Sequence, residues 1–131
     1  MSLLSLAGFG VDQGRFEEAL GRCQAAIEAF EDIGEVWSAA WARCSLGRVL
    51  TGSNRPDEAV PEYRQALSVF EERDDSDSRA VALIGLGEAL DALGDAARAR
   101  EVLTTALEYL RDHGDPRAEG VQARLSRLPG G

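Results

Sequence analysis

Four residues at helical spacing, Trp37, Trp41, Cys44 and Arg48, make up the stretch of this chain best suited to holding a partner. Steps of four, three and four residues place them on one stripe of an α-helix. The stripe opens with two indole rings and ends in a guanidinium. Aromatic side chains and arginine are the commonest anchors of binding energy at interfaces. The chemistry on offer is therefore recognition, not bond-breaking. The same spacing also suits packing of one or both tryptophans between helices, and both readings stand at this point.

Reactive chemistry has thinner support. All 14 basic residues are arginine and none is lysine. That excludes a phosphate-loop lysine, a Schiff-base lysine and a lysine general base. His113 is the single histidine. It falls in a turn before Gly114, near a helix C-terminus, where a protonated imidazole interacts well with the helix dipole. No serine or cysteine lies close to it in sequence. Asp74-Asp75-Ser76-Asp77 lacks the alternating oxygens, central glycine and distal glutamate of a calcium loop, and reads as a turn followed by a helix cap. Cys23 and Cys44 have no metal-ligand spacing and read as small thiols in helical, largely apolar surroundings. Glu17, Glu18, Glu58, Glu62, Glu71 and Glu72 read as a solvated face. No catalytic residue, cofactor or metal is expected.

The elements that must position these residues are set by an internal repeat. Ala19, Ala59 and Ala99 are 40 residues apart, as are Ala26, Ala66 and Ala106. Leu6, Leu46 and Leu86 keep that interval, followed by Ala7, Gly47 and Gly87, and Phe30, Phe70 and Leu110 close each copy. A fixed period of this size implies stacked supersecondary units, none able to bury its apolar face alone. Apolar spacing is helical throughout, with breakers between the periodic segments. The pattern predicts seven helices at about 2–12, 15–31, 35–52, 56–72, 77–93, 96–112 and 116–127. They would form three antiparallel hairpins, repeats of about 1–34, 35–74 and 75–114, plus a final capping helix. Small residues recur where two helix axes cross closely. Leu128-Pro129-Gly130-Gly131 reads as a frayed tail.

At 131 residues the chain is one domain in size. It carries 23 acids against 14 bases, a formal net charge of −9. That balance opposes nucleic acid and anionic membrane, both of which need a basic face, and suits a basic partner. No apolar run approaches the roughly 18 residues of a membrane span, and no signal peptide is apparent, so the expected location is the cytoplasm. The first helix is the weak one, because Gly8 and Gly10 lie inside it and each costs about 1 kcal/mol relative to alanine. Leu3, Leu4, Leu6 and Phe9 would be partly uncovered. That fits a segment excised from a longer solenoid, an end that buries itself by self-association, with Leu3, Leu4 and Phe9 as the contact of a homodimer, or a merely frayed end.

Leu46-Gly47, Leu50, Asn54, Ala59, Tyr63, Ala66 and Leu67 resemble one tetratricopeptide repeat. Leu86-Gly87, Leu90, Gly94-Asp95, Ala99, Leu103, Ala106 and Leu107 resemble another, and Leu6-Ala7, Gly14, Ala19, Cys23, Ala26 and Ile27 form a degenerate first copy. The 40-residue length is similar to the long variety found in bacterial signalling ATPases and transcriptional regulators. The resemblance implies an all-α, right-handed α-solenoid, and a regulatory or scaffolding arm of a larger bacterial protein. It also implies a concave groove lined by first helices, here Trp41, Cys44, Arg48, Thr51, Val81, Ile84, Glu88 and Asp91, with Leu4 and Val11 from the first copy. Glu88 and Asp91 would make one end acidic and favour basic segments, with Arg48 opposite them as an ion-pair partner. Family members that grip a C-terminal carboxylate use lysines, asparagines and an arginine at places held here by Cys44, Arg48, Ile84 and Glu88; with no lysine and only Asn54, that activity is not expected.

Overall fold

Every twentieth residue from 34 onward turns the chain. Gly34, Asn54, Asp74, Gly94 and Gly114 have φ of 76°, 66°, 55°, 85° and 63°, the left-handed region that ends helices. The residue after each donates its N–H to a carbonyl five residues back: Glu35 to Phe30 at 2.8 Å, Arg55 to Leu50 at 2.7 Å, Asp75 to Phe70 at 2.9 Å, Asp95 to Leu90 at 2.9 Å and Asp115 to Leu110 at 2.8 Å. Each acceptor belongs to a phenylalanine or leucine, buried at Leu50, Phe70, Leu90 and Leu110 and half-buried at Phe30, so one position supplies both the terminating bond and the apolar anchor.

These turns delimit six helices in the computed structural model, which describes the backbone of residues 2–129 and the side chains of residues 14–129. The helices are α1 (Ser2–Asp32), α2 (Val36–Gly52), α3 (Pro56–Glu72), α4 (Ser76–Ala92), α5 (Ala96–Asp112) and α6 (Arg117–Arg127). No strand occurs among the described residues. Starts are marked by Pro56 in the first turn of α3, and by Asp75 and Asp95, whose carboxylates accept from the N–H of Ser78 and Arg98 at 3.2 Å each.

The expected count of seven helices is corrected to six. Gly14 was read as the end of a first helix, yet α1 runs through it unbroken. The twenty-residue turn series explains why. Its member at 14 lacks the anchor, because Gly10 stands where Phe30, Leu50, Phe70, Leu90 and Leu110 stand in the other five. Without that apolar contact nothing holds the chain in a turn there, and the helix continues.

Each helix packs against the next, and α2 also touches α4. Glycine permits the closest approaches. A Cβ on Gly47 would lie 2.6 Å from the Tyr63 ring, one on Gly85 would lie 2.4 Å from the other edge of that ring, and one on Gly87 would lie 2.5 Å from Leu103. Tyr63 of α3 is thus clasped between α2 and α4. Ala59, Ala66, Phe70, Ala99, Leu103, Ala106 and Leu110 are all fully buried along α3 and α5. Of the expected frayed tail, Leu128 and Pro129 are held: Leu128 is buried, and the Arg100 guanidinium donates to the carbonyls of Leu128 and Pro129 at 3.4 and 3.0 Å, while residues 130–131 lie outside the described residues.

Candidate functional site

The stripe on α2 faces α4 across an open cavity of about 450 Å³. Trp41, Cys44, Arg48 and Thr51 line it from α2, and Val81, Ile84 and Glu88 from α4. Tyr63 forms the floor, and Arg117 reaches it from the first turn of α6. Helical spacing on two adjacent helices is what brings these side chains to one surface.

The aromatic end is a ladder of three rings. Trp37 meets Trp41 edge-on at 6.0 Å between centroids and 64° between planes, and Trp41 meets Phe70 at 5.6 Å and 53°. Such tilted arrangements suit the ring quadrupoles. The open alternatives separate here. Trp37 is 39 % exposed and donates its Nε1–H to Asp75 Oδ2 at 2.7 Å. Trp41 is half-buried, wedged between the cavity and Phe70, and its Nε1–H has no acceptor among the described residues. Bonds from the Ser78 and Trp37 side chains hold the Asp75 carboxyl below the usual range.

At the other end the charges pair differently from expectation. Arg124 of α6, rather than Arg48, bridges Glu88 at 3.5 Å and Asp91 at 3.2 Å. Arg48 is exposed and makes no ion pair among the described residues. Arg117 is occupied by Asp115 at 2.7 Å and Asp77 at 3.2 Å, which leaves the Asp74–Asp77 run serving a turn, a cap and an ion pair. Asp91 does not line the cavity, and Trp37 opens on a different one.

Burial pushes the Cys44 thiol up to about 12, so it stays protonated and unreactive in the cavity wall. Burial also raises Cys23. His113 stacks on Tyr109 at 4.1 Å, with Nδ1 2.9 Å from the Tyr109 carbonyl. No cluster of three potential metal ligands occurs among the described residues.

A second cavity, of about 430 Å³, lies between α1 and α2. Cys23, Ala26 and Phe30 form one wall and Trp37, Ser38, Trp41, Ala42 and Ser45 the other. The expected contact residues Leu3, Leu4 and Phe9, and the groove residue Val11, have side chains outside the described residues.

Two matches to the tetratricopeptide repeat family model, over residues 1–72 and 56–112, together span most of the chain. The chain belongs to the tetratricopeptide repeat family. No curated protein and no solved structure matches it. Tetratricopeptide repeats are in general protein–protein interaction modules. Within this tetratricopeptide repeat protein, sequence reading missed Tyr63, Ser45, Gly52, Gly85 and Arg117 as cavity residues. Gly85 gave no signal because the preceding copy carries Ser45 at that place. The sequence pattern presents Tyr63 only as a repeat position, and it does not single out Arg117.

Proposed function

We propose that the chain is a protein-interaction module that takes a partner segment in the cavity between α2 and α4. The reading covers a three-repeat, right-handed solenoid with repeats at about 1–34, 35–74 and 75–114. It makes the chain a regulatory or scaffolding arm of a larger bacterial protein working in the cytoplasm, without catalysis, cofactor or nucleic acid. The observation that carries it is the juxtaposition of Trp41, Ile84 and the unpaired Arg48 around one open, partly apolar cavity on adjacent first helices. An apolar side chain of the partner would sit between Trp41 and Ile84, with a carboxylate beside Arg48. The net charge of −9 draws basic flanks at long range, but a basic residue reaches Glu88 or Asp91 only by displacing Arg124.

The test is selection of short peptides from a random library against the immobilised chain. Selected peptides are expected to bind Arg48→Ala and Ile84→Glu at least about tenfold more weakly, equivalent to roughly 1.4 kcal/mol, with unchanged circular dichroism. Peptides that bind both variants as tightly as the parent would place the interaction elsewhere.

A further inference from the structure

The cavity between α1 and α2 is a seat that lies open in the first copy of the repeat. Its walls have counterparts 40 and 80 residues on, and those counterparts are closed. Ala26 and Phe30 are half-buried, whereas Ala66, Phe70, Ala106 and Leu110 are completely buried. Cys23 is half-buried, whereas Tyr63 is 2 % and Leu103 0 % exposed. On α2, Ser38 and Ala42 are half-buried and Ser45 is exposed, while Ser78, Ala82 and Gly85 on α4 are buried. The difference between the copies is that α2 lies against α3 and α4, whereas among the described residues no helix lies against the corresponding faces of α1 and α2. Three of the four exposed large apolar side chains among the described residues, Ile33, Val36 and Trp37, cluster at this same α1–α2 turn.

The repeat also identifies what fits. In the second copy Gly47 lies over Tyr63, and in the third Gly87 lies over Leu103. The matching pair in the first copy is Ala7 over Cys23. The sizes complement: glycine faces a large side chain twice, and alanine faces a small one. Residues 3–12, with Leu6-Ala7 at the place of Leu46-Gly47 and Leu86-Gly87, are therefore the sequence built for the seat. In this structure they cannot reach their own. Helix α1 is continuous from Ser2 to Asp32. Position 7 precedes Cys23 by 16 residues, about 24 Å along the helix axis at 1.5 Å per residue.

We propose that the seat is filled by residues 3–12 of a second copy, so that two copies exchange N-terminal helical segments in a two-fold symmetric dimer. Each chain gives one segment and receives one, which closes the assembly. Leu3, Leu4 and Phe9 then serve as the apolar contact on a neighbour. The inference depends on the translational relation between repeats and is independent of the peptide-binding reading.

The test uses the full chain carrying Ala7→Cys. Mild oxidation is expected to join position 7 to Cys23 of the other copy, giving a covalent dimer on a non-reducing gel with the 7–23 linkage confirmed by peptide mapping. Cys44 is buried and does not compete. Light scattering of the unmodified chain is expected to show a mass rising with concentration from 14.1 kDa towards twice that value. Ala42→Arg, in the half-buried wall of the seat, is expected to give a monomer with unchanged helicity. A 7–23 bridge within one chain, or no bridge at all, overturns the proposal. So does a monomer at every concentration, or an Ala42→Arg variant that remains dimeric.

Discussion

Two glycine-to-alanine changes in this chain act through unrelated physics. Gly87 is helical, and its added Cβ would meet Leu103 at 2.5 Å, so Gly87→Ala overpacks the α4–α5 crossing at about 1–3 kcal/mol. Gly94 has open space around it but φ of 85°, so Gly94→Ala is strained by conformation alone, at about 1–2 kcal/mol. Urea unfolding checks both. Truncation of the fully buried Leu103 is itself destabilising, but its cost is expected to be smaller in the Gly87→Ala background and unchanged in the Gly94→Ala background, as a double-mutant cycle would read. Among the carboxyls, Asp115 owes its shift to an arginine. The Arg117 side chain holds the Asp115 carboxyl down at about 2, against roughly 3.9 for an unperturbed aspartate. A carboxyl depressed in the folded state adds stability above the unfolded value, and that contribution disappears as pH falls from about 4 to 2. Asp115 is half-buried beside a partly exposed Arg117, and salt screens part of the effect. NMR titration is expected to show its midpoint moving up towards the ordinary value in Arg117→Ala. Cys44 is expected to resist iodoacetamide at pH 8 until the chain is unfolded, since its thiol is raised to about 12. The small residues at 47 and 87 were legible because they recur in register. Gly85 was not, because its contact belongs to one copy only.

At the scale of helices, boundaries followed the turn chemistry closely. Proline at 56 and acids at 75, 95 and 115 marked starts, and left-handed residues every twenty positions marked ends. The failure at Gly14 is instructive because a breaker alone does not end a helix. The five working turns each pair a left-handed residue with an apolar anchor four residues before it, and position 10 carries glycine instead. Restoring the anchor with Gly10→Leu is expected to favour a break near Gly14, read as increased amide exchange at residues 13–15. Asp74 adopts φ of 55° without the freedom of glycine. Asp74→Gly is expected to leave stability unchanged or to raise it slightly in thermal unfolding. The terminal helix was legible as amphipathic, but not the use of its polar face. Arg124 is spaced from its partners by more than 30 residues of chain, and no local pattern announces so distant a pairing.

Across the whole molecule, stability in a repeat array is close to a sum of units and nearest-neighbour interfaces. The second and third copies share sealed rows of alanine, leucine and aromatic side chains, while the first copy has its equivalent row open. Amide exchange is therefore expected to be slowest in α3 to α5 and fastest in α1, a gradient along the chain. The repeat period exposed the family and most of the architecture from sequence alone. Which faces remain uncovered depends on whether the first helix closes, and that turns on one missing side chain.

The indole ladder has an optical consequence. Trp37 and Trp41 are the only tryptophans, and their unlike environments, one hydrogen-bonded near solvent and one shielded with an idle N–H, should give emission at two distinct wavelengths. Trp41 belongs to the walls of both cavities. The blue component of intrinsic fluorescence is thus a label-free gauge placed by the fold itself between the two places where another chain could arrive.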